Sequence, residues 1–232
     1  MCQAYLLKVQ TGRCAQVADD TTFIGGKPML PASTLLPACQ LCGAEQTFFF
    51  QLSFPASHFW GGLTLSVFLC KACMDLEYVV PDMIEGPLQG ADIPSEFLKG
   101  SQRNFRFFVF PTDQGYIVSS YQEKVVFMRW KLVATNHPRR RGNKVGGLPN
   151  WLYGDESPAT VDSTIPLQFL LQIESDFRFP RLPSAPPQIG FNMVGEPAPT
   201  NDDFYWLFAG TQNYFYGTTD RSDPLVYCFT QK

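Results

Sequence analysis

The chain has 232 residues, 45% of them hydrophobic and 17% charged, which is enough apolar material for one sizeable core or two small ones. A net charge of −3 provides no global basic field, which argues against nucleic acid or an anionic membrane as the partner. No run reaches the ~18 apolar residues of a membrane span, and the opening "MCQAYLLKVQTGR" lacks the basic segment and long apolar core of a signal peptide. The expected compartment is therefore the cytoplasm, where thiols stay reduced.

Aromatic residues make up 15% of the chain, with 18 Gly and 19 Pro, so short strands broken by turns are expected over long helices. In chain order, strands are predicted at 47–54 "TFFFQLSF", 63–70 "LTLSVFLC", 105–110 "FRFFVF", 115–121 "GYIVSSY", 124–133 "KVVFMRWKLV", 167–173 "LQFLLQI", 204–209 "FYWLFA", 213–217 "NYFYG" and 225–230 "LVYCFT". One short helical turn is predicted within 92–99, with Pro94 near its start. The turn residues "PTDQG" at 111–115 and "AGTQN" at 209–213 predict hairpins between their flanking strands. Two stretches read as loops: 135–147, "TNHPRRRGNKVGG", and 180–203, which holds six prolines.

Laid over itself with an offset of 121 residues, the chain matches in several places. Gly25 meets Gly146, Gly26 meets Gly147, Pro28 meets Pro149, Pro37 meets Pro158, Phe48 meets Phe169 and Gln51 meets Gln172. One Gly-Gly-x-Pro match is only a turn; with an apolar strand ending in Gln at the same offset it predicts two related β units. These are expected to pack face to face over one shared core. At that offset Cys39 and Cys42 meet Thr160 and Ser163.

The cysteines fall in two pairs. Cys39-x2-Cys42 is followed after 27 residues by Cys70-x2-Cys73, a stretched version of the four-cysteine zinc-ribbon spacing. Each CxxC turn aims two thiolates at one ion, and strands 47–54 and 63–70 would bring the pairs together. Four thiolates close the coordination, so the zinc would be structural. Buried inert thiols, and a disulfide or redox pair, are the alternatives. Cys2, Cys14 and Cys228 have no metal spacing.

"GGKPMLP", "LPACQLCGAEQTFFFQLSFP" and "LSVFLCKAC" together resemble the core of the programmed cell death protein two family, whose yeast relatives chaperone a ribosomal protein. "VGGLPNWL" with "PLQFLLQI" also resembles the YwqG-like bacterial domains, a related β-rich group. The resemblance covers about 23–75 and 144–175. It departs from the family in its tighter second cysteine pair and in lacking a separate inserted zinc finger. By analogy, and with no motif to carry it, a β-rich domain of this kind also suits an immunity protein that neutralises a toxin.

Catalytic chemistry is sparse. His58 and His137, the only histidines, lie in no G-x-S-x-G or H-E-x-x-H motif, and "FIGGKP" lacks the Lys-Ser/Thr ending of a phosphate loop. Asp19-Asp20, Asp202-Asp203 and Arg139-Arg140-Arg141 read as solvated loop residues.

The expected fold is mainly β: two related β units in one compact body, the first (1–134) carrying zinc knuckles and an inserted segment, the second spanning 144–232, with a basic linker at 135–143 between them. The expected function is non-enzymatic protein binding, either as an immunity-type inhibitor of a toxin such as a nuclease or as a chaperone for a ribosomal protein. An enzyme is the remaining alternative. Contact regions are expected at 81–104 and 180–203, with Glu196, Asp202 and Asp203 facing a basic partner and Trp60 and Trp151 exposed as anchors.

Overall fold

A computed structural model of the protein describes residues 3–10, 12 and 15–231. Its main element is a 12-stranded sheet. Ten of its strands form one path: Val226–Gln231, Gln212–Thr218, Ile165–Ile173, Lys144–Val145, Ala4–Val9, Met128–Thr135, Phe23–Ile24, Thr47–Ser53, Leu63–Leu69 and Phe105–Pro111. Every neighbour along it is antiparallel. The two remaining strands, Asp92–Ile93 and Thr160–Val161, pair with each other in parallel beside Ile165–Ile173. The single α-helix among the described residues is Ser95–Gly100, preceded by Pro94 as expected.

Thr47–Ser53, Leu63–Leu69, Gln212–Thr218 and Val226–Gln231 are buried along nearly their whole length because both faces are covered, polar residues such as Gln51 and Ser66 included. In Thr47–Ser53, Phe48 packs with Phe23, Phe68 and Tyr121 on the outer side, while Phe49, Phe50 and Leu52 enter the central core. A register shift between Phe48 and Phe50 makes this possible: the bulge turns two consecutive side chains inward. Ile165–Ile173 behaves alike. Its register shifts between Phe169 and Leu171, Phe169 joins an outer cluster with Tyr216 and Phe229, and Leu170 and Leu171 join the central core. The sheet curls so that both halves share that core, and the Phe215 ring meets Phe50 at 6.3 Å and Phe107 at 5.5 Å. The halves also join edge to edge. Ala4–Val9 lies against Lys144–Val145, Met128–Thr135 lies against Phe23–Ile24, and these two long strands pair with each other.

The paired turns repeat their hydrogen bonds 121 residues on. Phe23 and Ile24 face Gln51 and Phe50; Lys144 and Val145 face Gln172 and Leu171. The Gly25 amide donates to Phe49 O and the Gly146 amide to Leu170 O. The Gln51 side-chain oxygen accepts from the Met29 amide at 3.1 Å, and that of Gln172 from the Asn150 amide at 2.8 Å. Both glycine pairs have φ between +58° and +70°, a region that L side chains rarely adopt. A Cβ on Gly25 would also stand 2.5 Å from Val125 O, and one on Gly146 2.6 Å from Gln3 O.

Two hairpin expectations fail, and for the same reason: turn residues specify a reversal but not the partner strand. After "PTDQG", Tyr116–Ile117 pairs with Met29–Leu30 instead of with Phe105–Pro111. Before "AGTQN", Phe204–Trp206 pairs with Arg178–Pro180. Region 180–203 is not a bare loop either, since Ile189–Phe191 and Pro197–Pro199 form a hairpin.

Candidate metal centre

Antiparallel pairing of Thr47 with Leu69 sets the two cysteine pairs side by side, just beyond the ends of their strands. The first pair sits in a tight reversal closed by an Ala38–Glu45 bridge. There the Cys39 amide donates to Ala44 O and the Gly43 amide to Cys39 O, both at 2.8 Å, with Gly43 at φ +75° completing the turn. The second pair leaves Leu63–Leu69 directly, anchored by a 2.7 Å bond from the Cys70 amide to Asn104 O.

The four sulfurs of Cys39, Cys42, Cys70 and Cys73 all lie within 4.8 Å of one another. Cys39 to Cys73 is 3.8 Å, Cys42 to Cys70 is 3.7 Å and Cys70 to Cys73 is 3.6 Å. A tetrahedral ion held by thiolates at about 2.3 Å requires sulfur–sulfur edges of about 3.8 Å. A disulfide would need about 2.05 Å, and all four thiols are free. The spacing therefore fits one tetrahedral metal ion, with every ligand position taken by sulfur.

Electrostatics point the same way. Burial pushes Cys70 up to about 11, despite amide bonds from Ala72 and Cys73. Burial and the neighbouring Cys70 raise Cys73 above the usual thiol range. Burial also opposes ionisation of Cys42, but the Ala44 amide and hydrogen bonds from Cys73, Cys70 and Cys39 bring its pKa down. Four adjacent thiols cannot all ionise unaided; a bound cation reverses that balance. The amides aimed at the sulfurs hold the ligands in place. Between the second pair, Lys71 is buried, which draws its pKa down to about 7 against the Cys70 charge.

The other expected site residues are scattered. Glu196 and Asp203 are exposed, whereas Asp202 is half-buried and accepts from Gln188 Nε2 at 3.3 Å. Trp60 is not a surface anchor. It is fully buried and its indole N–H donates to Thr218 O at 2.8 Å, because the loop that carries it tucks under the second half of the sheet. Trp151 is half-buried, packed on Tyr214 at 4.7 Å. Asp20 is not a solvated loop carboxylate but makes a two-pronged bond to Arg129. Cys228 is buried in the central core, and Cys2 and Cys14 lie outside the described residues.

His58 is also buried, its ring stacked on Phe54 at 4.7 Å. Its Nδ1 accepts from the Trp60 amide, while Nε2 has no partner. Burial draws its pKa down to about 4. Below pH ~6.5 the unfolded chain takes up a proton that the folded chain refuses, so stability should fall as pH drops from about 6.5 to about 4, by roughly 3 kcal/mol. Urea unfolding at pH 7 and pH 4 should show that His58→Phe escapes this loss. An ion held by the four cysteines would also be lost in acid, but equally in both chains. Identical pH slopes would refute the assignment.

What the sequence did not disclose is a cleft beside the four cysteines, walled by the segment after Cys73, the 189–199 hairpin and the turn at 206–211. Its residues come from separate parts of the chain, and only the lysine between two cysteines hinted at it. No known family model matches the chain, and no curated protein matches it in sequence.

Proposed function

We propose that this chain is a non-enzymatic protein-binding scaffold of the cytoplasm, built from two copies of one β unit and locked by a structural zinc on Cys39, Cys42, Cys70 and Cys73. The observation that carries the structural ion is the cluster of four sulfurs, which would leave no position on that ion for a substrate or an activated water. Zinc is preferred because it favours tetrahedral thiolate sites and carries no redox burden. The repeated Gly-Gly turn, bulge and Gln bond at a 121-residue spacing support the duplication.

Within that class we favour an immunity-type inhibitor that caps a toxin. The tip of the 189–199 hairpin supports a contact there: Met193 and Val194 stand in solvent, next to exposed Glu196. Apolar side chains beside an acid suit a basic partner such as a nuclease. The chaperone reading rests on the resemblance of 23–75 to a family that binds a ribosomal protein.

Affinity purification from the native cell, followed by titration of the captured protein's activity, separates the readings. Stoichiometric inhibition of a captured toxin supports the first, and a co-purifying ribosomal protein replaces it with the second. With the partner in hand, Glu196→Lys with Asp203→Lys should slow association about tenfold at low salt and little at high salt. An unchanged rate would move the interface elsewhere, and a measurable turnover lost on changing His58 would overturn the non-enzyme reading.

A further inference from the structure

We infer that the cleft beside the four cysteines is a binding site for a small apolar carboxylate, with Lys71 as the anchor of its acid group. This goes beyond the protein-binding reading and does not depend on it.

The cleft has a volume of about 610 Å³, within the range of sites that enclose small molecules. Its walls are mostly apolar, with Met74, Val79, Phe191, Trp206 and Phe208 among them. Such walls select an aliphatic or aromatic body. Three polar groups in the lining are left without adequate partners. Lys71 is 8% exposed; its Nζ donates to Phe208 O at 3.2 Å and lies 5.8 Å from the centre of the Phe49 ring. Among the described residues no carboxylate comes within 4.0 Å of it. An ammonium has three N–H donors; Phe208 O takes one of them, and the opposite charge that acts on Lys71 is that of the Cys70 sulfur. The hydroxyls of Thr200 and Thr211 are buried and have no hydrogen-bond partner. Buried polar atoms in that state call for a missing group.

A carboxylate on the ligand suits such a lining, since it accepts from an ammonium and from a hydroxyl that turns toward it. A phosphate would bring nearly two charges to a lining with one cation. The lining's own carboxylate, Asp202, brings a negative charge while accepting from Gln188, so the lining has room for one added negative charge at most. The backbone adds an independent sign. Phe208, whose carbonyl holds Lys71, sits at φ +50°, a left-handed conformation that costs a non-glycine residue energy. Its ring is fixed edge-on to Phe105 at 5.5 Å. Strain of this kind concentrates at ligand clamps.

The test is calorimetric titration of the metal-loaded full chain with decanoate and with decan-1-ol, which has the same chain but no charge. Decanoate should bind once per chain and at least tenfold more tightly than decan-1-ol. Lys71→Met should erase that preference. Thr211→Val, which exchanges one hydroxyl for a methyl, should weaken decanoate severalfold and leave decan-1-ol unchanged; it carries the test should Lys71→Met fail to fold. Absence of saturable decanoate binding, or equal binding by wild type and both variants, overturns the proposal. So does binding of the peptide Gly-Leu-Phe-Leu where decanoate does not bind, because the site would then be one for a protein C-terminus.

Discussion

Stripping the metal from Cys39, Cys42, Cys70 and Cys73 should lower the melting temperature by roughly 10–20 °C. Structural four-ligand zinc sites bind with apparent free energies of about 10–16 kcal/mol, so micromolar free zinc stabilises such a fold on the order of 5 kcal/mol. A chain of this size shifts by roughly 2–4 °C per kcal/mol. The loss should not unfold the protein at room temperature, because the central core is built from strands that owe nothing to the sulfurs. Hydrogen exchange should instead speed up locally, at 38–46 and 70–80, where the amides of Cys39, Gly43, Gln46 and Cys70 are held. Elemental analysis of chelator-free protein should find one zinc per chain, and Cys70→Ser should reproduce the loss. Metal-free protein with all four thiols reduced and an unchanged melting temperature would exclude a structural ion.

Much of this centre could be read before any coordinates, and the reason is local. A CxxC turn is four residues long, and the strands joining the pairs are rich in aromatic and β-branched residues, so ligand type, spacing and scaffold all lie in one stretch, 39–73. The same holds for the bulged strands Thr47–Ser53 and Ile165–Ile173, although the bulges themselves left no mark. What escaped was decided at a distance. Phe23–Ile24 and Lys144–Val145 are two-residue strands, too short to show any period; their partners make them strands. Ala4–Val9 has a mixed burial pattern because it bridges both halves and follows neither. Trp60 looked exposed because Gly61 and Gly62 follow it, and turns usually face water. The cleft is the extreme case: Lys71 belongs to the metal segment, Thr200 follows the hairpin and Thr211 precedes the strand Gln212–Thr218.

Trp60 is also where the two halves should prove hardest to separate. It lies in the loop between Thr47–Ser53 and Leu63–Leu69, yet its indole N–H reaches Thr218 in the other half. Its ring is fully buried, edge-on to Phe54 at 5.3 Å. Gly217 leaves room for it: a Cβ there would meet the Trp60 ring at 2.4 Å and Leu170 at 2.8 Å. Trp60→Ala should therefore cost about 3–5 kcal/mol for the lost ring, with the Thr218 carbonyl deprived of its donor as a further loss. Trp60→Phe keeps much of the packing but not the donor, and should cost about 1–3 kcal/mol. Gly217→Ala should cost a similar ~1–3 kcal/mol by overpacking. The decisive measurement is the double variant. If the clash is with the indole, Gly217→Ala becomes much cheaper once Trp60 is alanine, and the cycle should show a coupling of at least ~1 kcal/mol. Simple additivity in urea unfolding would mean that Trp60 and Gly217 do not share the space assigned to them, and that the halves are held together by the core and edge strands alone.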